Sequence, residues 1–287
     1  MILTNSSAAK VGGNNATTIA SSTASFRQFM CYLSATISTA ITGTTGLIKN
    51  GIGGLNLSGV CNYTGPTQIN AGSLAITNAS TLNGVISGAG SLTKSGSFAV
   101  TIGGNNTYTG GTLFSLGTIT FASGNAFGTG LFTAQTASQI ITGNNVTLPN
   151  NFQINSGATL QYRTSGANTI TVTGNITQSG NLNKTGNGTL DLTAATLTYT
   201  GSTTIQGGFI RARKTNGAST ATATFQSAPG LSLVVSFNVA PPSGITTFRF
   251  FQGTTTQTYA TVTLVGLPVG STAIYTSATS TLTVTVP

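Results

Sequence analysis

The sequence predicts an all-β solenoid. Three observations carry that prediction: a frame that recurs at a fixed period, short segments alternating apolar with small or polar residues, and glycines that fall between those segments. The frame occurs as Leu47-Ile-Lys-Asn-Gly51 … Leu55-Asn-Leu57 … Tyr63-Thr-Gly65, as Leu92-Thr-Lys-Ser-Gly96 … Val100-Thr-Ile102 … Tyr108-Thr-Gly110, and as Leu182-Asn-Lys-Thr-Gly186 … Leu190-Asp-Leu192 … Tyr199-Thr-Gly201. The step from Lys49 to Tyr63 equals that from Lys94 to Tyr108, and the step from Lys184 to Tyr199 is longer by a single position. The interval from Tyr108 to Tyr199 is close to twice that from Tyr63 to Tyr108, so one period between them lacks the full frame.

Three regions follow in order. Residues 1–45 lie outside the frame and are read as a capping or anchoring segment. Phe26, Met30, Leu33, Ile37 and Ile41 fall at helical spacing after Ser25-Phe-Arg-Gln28, which resembles a capping box. The β-branched Thr36, Ile37, Thr39 and Ile41 favour extended backbone, so a short helix running into a strand is expected. Residues 46–224 are the solenoid, with strands such as Ser73-Leu-Ala-Ile-Thr77, Gly117-Thr-Ile-Thr-Phe121, Ile170-Thr-Val-Thr173 and Thr189-Leu-Asp-Leu-Thr193. Their alternation puts Leu, Ile, Val and Phe on one face and hydroxyls on the other. Asn105-Asn106, Asn144-Asn145 and Asn150-Asn151 mark turns where asparagine tolerates left-handed backbone and stacked coils align it into ladders. At roughly 20 residues per coil this region would hold on the order of eight coils.

In residues 225–287 the frame stops, and Pro241-Pro242 breaks the chain. Longer strands follow: Ser232–Phe237, Thr246–Phe251, Thr258–Leu264 and Ser280–Val286, separated by turn signals at Gly253, Gly266 and Pro268-Val-Gly270. A small antiparallel sandwich-like cap is expected, because an uncapped solenoid end exposes core and strand edges.

Composition narrows function. The 287 residues include ten Lys+Arg, one acidic residue (Asp191) and no His. Acid–base catalysis needs His or paired carboxylates, and metal sites need clusters of His, Cys or carboxylate. No enzyme, cofactor or metal is therefore expected, and Asp191 reads as an ordinary outward strand residue. Cys31 and Cys61 lack ligand spacing and read as free thiols, with a bridge as the alternative. Met1-Ile-Leu-Thr-Asn-Ser-Ser has no basic stretch leading into an apolar run, and no apolar segment approaches the length of a membrane-spanning helix, so neither a secretory signal nor a membrane span is expected.

The net charge of +9 is dilute, and Arg211, Arg213 and Lys214 form its one cluster. That cluster either touches an anionic surface or guards a strand edge against pairing; one triplet is no specific nucleic-acid footprint. Lys49, Lys94 and Lys184 recur in the frame, either as a ladder for an anionic partner or as stems covering a coil turn with wet ammonium groups. Tyr63, Tyr108 and Tyr199 read as packed turn residues, with sugar stacking as the alternative.

The full frame, Leu-x-Lys-x-Gly … Leu-x-Leu … Tyr-Thr-Gly-x-Thr … Gly-x-Leu, resembles the autotransporter-associated β-strand repeat of bacterial passenger domains, in copies at Leu47–Ile76, Leu92–Thr120 and Leu182–Ala212. An Asn two places before the Tyr, usual in that family, stands only at Asn106. The resemblance implies a right-handed parallel β-helix. Autotransporters also carry a signal peptide and a C-terminal barrel, and the same repeat is found in bacteriophage structural proteins. The expectation is therefore a non-enzymatic virion protein (fibre, spike or capsid decoration) assembled in the host cytoplasm as a homo-oligomer, with a trimer as the guess for a fibre. Its partners would be other virion proteins and possible host-surface polysaccharide. The alternative is a bacterial surface adhesin or sheath subunit.

Overall fold

The computed structural model describes residues 10–11, 27–201, 203–213, 222–228, 232–237, 244–249, 261–276 and 281–287. Every helix or strand element among them is a strand. They divide into two units, residues 1–141 and 142–287, and each is a parallel β-solenoid in its coiled part.

In the first unit the coils stack short strands on three faces. One face stacks Lys10–Val11, Ala35–Ile37, Gly54–Leu57, Ser73–Ile76, Ser91–Lys94, Thr112–Phe114 and Phe132–Ala134 in parallel. A second stacks Ser80–Leu82, Ala99–Ile102, Gly117–Phe121 and Ser138–Thr142, with the pair Ile41–Gly43 and Cys61–Tyr63 packed beside Ser80–Leu82. The third stacks Arg27–Met30, Leu47–Asn50, Thr67–Ile69 and Ile86–Ser87. The registers Leu55↔Leu74 and Leu74↔Leu92 fix two successive coils of nearly equal length. Like residues thus stack on like. Leu55, Leu74 and Leu92 are fully buried, each contributing about 1.5–3 kcal/mol of apolar burial. Further along, Phe127 packs on Phe132 and Phe121 with ring centroids 4.8 and 5.0 Å apart.

The second unit repeats the plan. Val146–Leu148, Thr169–Val172, Thr189–Asp191 and Phe209–Arg213 stack in parallel, and the step Val146↔Ile170 is longer than the step Ile170↔Leu190 that follows it. Beside them run Thr159–Thr164, Asn181–Thr185 and Thr203–Ile205, and Phe152–Ile154 with Ile176–Thr177. Thr222–Ala228 then lies antiparallel on Phe209–Arg213 and occupies the edge that the last coil would leave open. Ser232–Phe237 adds antiparallel to it, and Gly244–Arg249, Thr281–Val286 and Thr272–Thr276 form a separate three-stranded antiparallel sheet.

Two expectations change. No helix spans the described part of residues 26–41: Arg27–Met30, Ala35–Ile37 and Ile41–Gly43 are strands paired with the coils that follow, and coiling is established by Arg27. Phe29, Ile37 and Ile41 are buried at alternating strand positions, so the β-branched run overrode the helical spacing. Ser25 and Phe26 lie outside the described residues. The C-terminal part is also not wholly antiparallel. Thr261–Val265 joins Ser232–Phe237 in parallel, because the strand between them in sequence, Gly244–Arg249, goes to the other sheet and returns the chain to its former direction. The strands Thr222–Ala228 and Thr272–Thr276 were not foreseen, while Ser232–Phe237 appears as predicted. Pro241-Pro242, Gly253 and Ser280 lie outside the described residues.

The stacking leaves no room for side chains at the closest corners. A Cβ at Gly186 would sit 2.0 Å from the Thr164 carbonyl oxygen, and φ there is +72°. Gly186→Ala should therefore destabilise the fold by about 2–4 kcal/mol, through left-handed strain and displaced backbone. Equilibrium urea unfolding checks it; a loss below about 0.5 kcal/mol would refute the close approach.

Candidate functional site

The recurring lysines define the most unusual chemistry of the molecule. In Leu-x-Lys, the lysine has the same strand parity as the inward leucine, and it points inward. Lys49, Lys94 and Lys184 are 0%, 1% and 0% exposed. Each ammonium is held by backbone carbonyls from two successive coils. Lys49 Nζ donates to the carbonyls of Asn50, Gly51 and Ala71 at 3.0, 2.8 and 3.0 Å. Lys94 Nζ donates to those of Ser95, Gly96 and Leu116 at 3.2, 2.7 and 2.8 Å. Lys184 Nζ donates to those of Thr185, Gly186 and Gly207 at 2.5, 3.0 and 3.3 Å.

Two glycines of the frame make the cradle. Gly51, Gly96 and Gly186 have φ of +78°, +82° and +72°, and this left-handed turn presents their carbonyls to the ammonium. The glycine that opens the closing Gly-x-Leu segment leaves space: a Cβ on Gly117 or Gly208 would stand 3.0 or 2.8 Å from the Nζ of Lys94 or Lys184. The expectation of a wet ammonium is thus overturned, because three backbone carbonyls take the place of its water shell. Nor do the lysines form a ladder in the first unit: Lys49 and Lys94 lie on different faces of the coil. Burial lowers the pKa of Lys94 and Lys184 to about 8. It also lowers that of Lys49, against a smaller opposing effect from Cys31.

The tyrosines are packed turn residues, as expected. Tyr63, Tyr108 and Tyr199 are buried, and each hydroxyl pairs with the threonine four residues on: with Thr67 at 2.6 Å, with Thr112 at 2.5 Å, and with Thr203. Tyr-Thr-Gly-x-Thr is therefore a self-satisfied buried corner. Its glycine admits the neighbouring coil, since a Cβ at Gly201 would stand 2.0 Å from the Gly180 carbonyl oxygen. Tyr162 lies outside the frame; its hydroxyl is buried without a hydrogen-bond partner, and burial raises its pKa well above the ordinary value. Asn106, also buried, accepts from the Ile86 N–H and donates to the Ala126 carbonyl, both at 2.7 Å, tying three coils together.

The predicted surface cluster is only partly placed. Arg211 Nη1 meets Asp191 Oδ2 at 3.1 Å, directly across the pairing of their strands. Asp191 is therefore not a plain solvated residue: it is 8% exposed, and its Oδ1 accepts from the N–H and Oγ1 of Thr193 at 2.9 and 2.7 Å. The arginine opposite covers it, a partner the local alternation could not reveal. Arg213 ends the same strand two residues beyond Arg211, and Lys214 lies outside the described residues. Cys31 and Cys61 are buried free thiols, and burial raises the Cys31 pKa.

The model of the passenger-associated-transport-repeat matches residues 47–76, 92–121 and 182–212. Three segments of the chain are thus similar to this repeat. Each copy folds as one and a half coils closed on itself. Its first strand pairs with its fourth element, as Leu47↔Thr67, Leu92↔Thr112 and Leu182↔Thr203. Its Leu-x-Leu strand pairs with its last, as Leu55↔Leu74, Val100↔Ile119 and Leu190↔Ile210. The cradle and the tyrosine corner of a repeat are built mainly from that repeat's own residues; from outside the matched spans, Thr164 Oγ1 meets Lys184 Nζ at 3.4 Å and the Phe127 carbonyl accepts from Thr112 Oγ1 at 3.3 Å. No curated protein and no solved structure matches the chain.

Lys94→Met should cost about 2–4 kcal/mol, because the carbonyls of Ser95, Gly96 and Leu116 lose the charged donor they share. Tyr108→Phe should cost about 1 kcal/mol, whereas Tyr162→Phe should be neutral or stabilising; equal losses in urea unfolding would contradict the role given to the threonine.

The lysines also set a pH dependence. The folded chain releases their protons near pH 8, the unfolded chain near the ordinary 10.5, so between those values the unfolded state binds more protons and stability should rise with pH. Thermal unfolding midpoints should climb from about pH 8 to about pH 9, above which the Cys31 thiol and the buried Tyr108 and Tyr162, held protonated by the fold, oppose the rise; the climb should be smaller in Lys94→Met. Identical pH profiles for the two proteins would rule the effect out.

Proposed function

We propose that the chain is a non-enzymatic structural protein of the passenger type, displayed on a bacterial surface as an adhesin or as a sheath or filament subunit. The observation that supports this best is the match of three transport repeats, each folding as a closed coil with internal clamps. The repeats and the β-solenoid fit a passenger-type surface protein. They favour that reading over the virion component expected from the sequence. Coil-on-coil hydrogen bonding around a continuous apolar core makes a stiff scaffold suited to presenting a surface. The composition supports the absence of catalysis, with one carboxylate and no histidine in the sequence. That carboxylate is occupied by Arg211. No helix among the described residues is long and apolar enough to cross a membrane.

Mass spectrometry of peptides shaved from intact cells by protease, alongside purified phage particles from the same culture, tests the proposal. Recovery from the cell surface, absent from lysed-cell controls depleted of envelope, is the expected result. Stoichiometric recovery in particles alone would replace it with the virion reading.

A further inference from the structure

Between Arg27 and Arg163 the sequence contains two charged residues, Lys49 and Lys94, and both are buried in their cradles. From Gln28 to Ile141 the outer surface of the first unit therefore carries no ionised side chain. For a displayed protein this is an unusual surface, because charge is what keeps proteins apart in solution.

One face combines this neutrality with a row of hydroxyls and an apolar rim. On the strands Ile41–Gly43, Cys61–Tyr63, Ser80–Leu82, Ala99–Ile102, Gly117–Phe121 and Ser138–Thr142, an outward column runs Thr42, Asn62, Thr81, Thr101, Thr120, Ile141. Register joins Thr42 to Asn62, and Thr81 through Thr101 and Thr120 to Ile141. The Asn62 side chain bridges the remaining step by accepting from the Thr81 N–H at 3.0 Å. Along one rim lie Val60, Phe98 and Leu116, which are 37%, 54% and 43% exposed, with the exposed Ala79 and Ala99 between them. Phe98 and Leu116 are on neighbouring coils, since a Cβ at Gly117 would lie 2.8 Å from the Phe98 carbonyl oxygen.

We propose that this face is where two copies of the chain pack side by side. The chemistry selects a second copy over other occupants. A hydroxyl both donates and accepts, so a threonine column can pair with its own image about a two-fold axis, whereas a charged column would repel itself. The rim supplies apolar area that two such faces bury without stripping water from any ion. An anionic or cationic partner finds no counter-charge here. A neutral glycan finds no aromatic platform on this face beyond Phe98: the chain has no Trp, Tyr63 and Tyr108 are buried with their hydroxyls paired to threonines, and the exposed Tyr32 lies on the turn that follows Arg27–Met30, a strand of another sheet. The inference does not depend on where the protein is displayed.

Sedimentation equilibrium of the full chain tests it. The wild type should show reversible association. Thr101→Glu and Phe98→Glu should each weaken it by about tenfold or more, since each sets like charges against one another across the contact. Thr133→Glu, facing outward from a different sheet, should leave association unchanged. Mixing Thr101→Glu with Thr101→Lys should restore it, which a variant that had merely misfolded could not do. A wild type that stays monomeric at high concentration would overturn the proposal. So would equal weakening by Thr133→Glu, or Thr101-dependent binding of a soluble neutral glucan by a monomeric chain.

Discussion

The coils are clamped by an ammonium group enclosed in backbone carbonyls. A parallel solenoid must turn its chain sharply at every corner, and each turn strands carbonyl oxygens with no strand partner. In the three transport repeats one lysine answers the problem for two coils at once. It accepts a desolvation cost that lowers its pKa and offsets that cost with three charge-assisted hydrogen bonds. The left-handed glycine two residues on, and the glycine that opens the last strand, exist to shape that cradle. The tyrosine corner solves the matching problem for a large side chain by carrying its own hydrogen-bond partner four residues away.

This arrangement changes the meaning of the charge. A net charge of +9 suggests a basic surface, yet three of the ten cationic residues are interior and a fourth, Arg211, is paired with the only carboxylate. The first unit's exterior is left to hydroxyls, amides and scattered apolar groups. A surface of that kind suits contacts made by shape and hydrogen bonding more than by electrostatic attraction.

Much of this was legible before the coordinates, for a local reason. Most clamping contacts of a repeat fall within its own matched span, so its residues recur at fixed spacing and announce themselves. The strands, the turns and the packing of the tyrosines followed from period two and from the frame. Lys94 stands two residues from Leu92 on one strand, so parity places it inside, and backbone carbonyls in place of water hold the charge there. The helical reading failed because Met30, Ile37 and Ile41 sit on three separate short strands, with Leu33 exposed on the turn between the first two.

The sequence by itself determined the all-β class, the repeat and its period, the near absence of catalytic groups and the residues that close each coil, because these depend on neighbours along the chain. Only the tertiary structure decided that Arg211 lies across from Asp191, that Asn106 reaches one coil back and one forward, and that Thr222–Ala228 reverses direction to cover the last coil's edge. Such contacts join residues a coil or more apart. Which of them meet depends on the exact length of every coil between, and that length is not constant: the step Leu74↔Leu92 in the first unit is shorter than the step Val146↔Ile170 in the second.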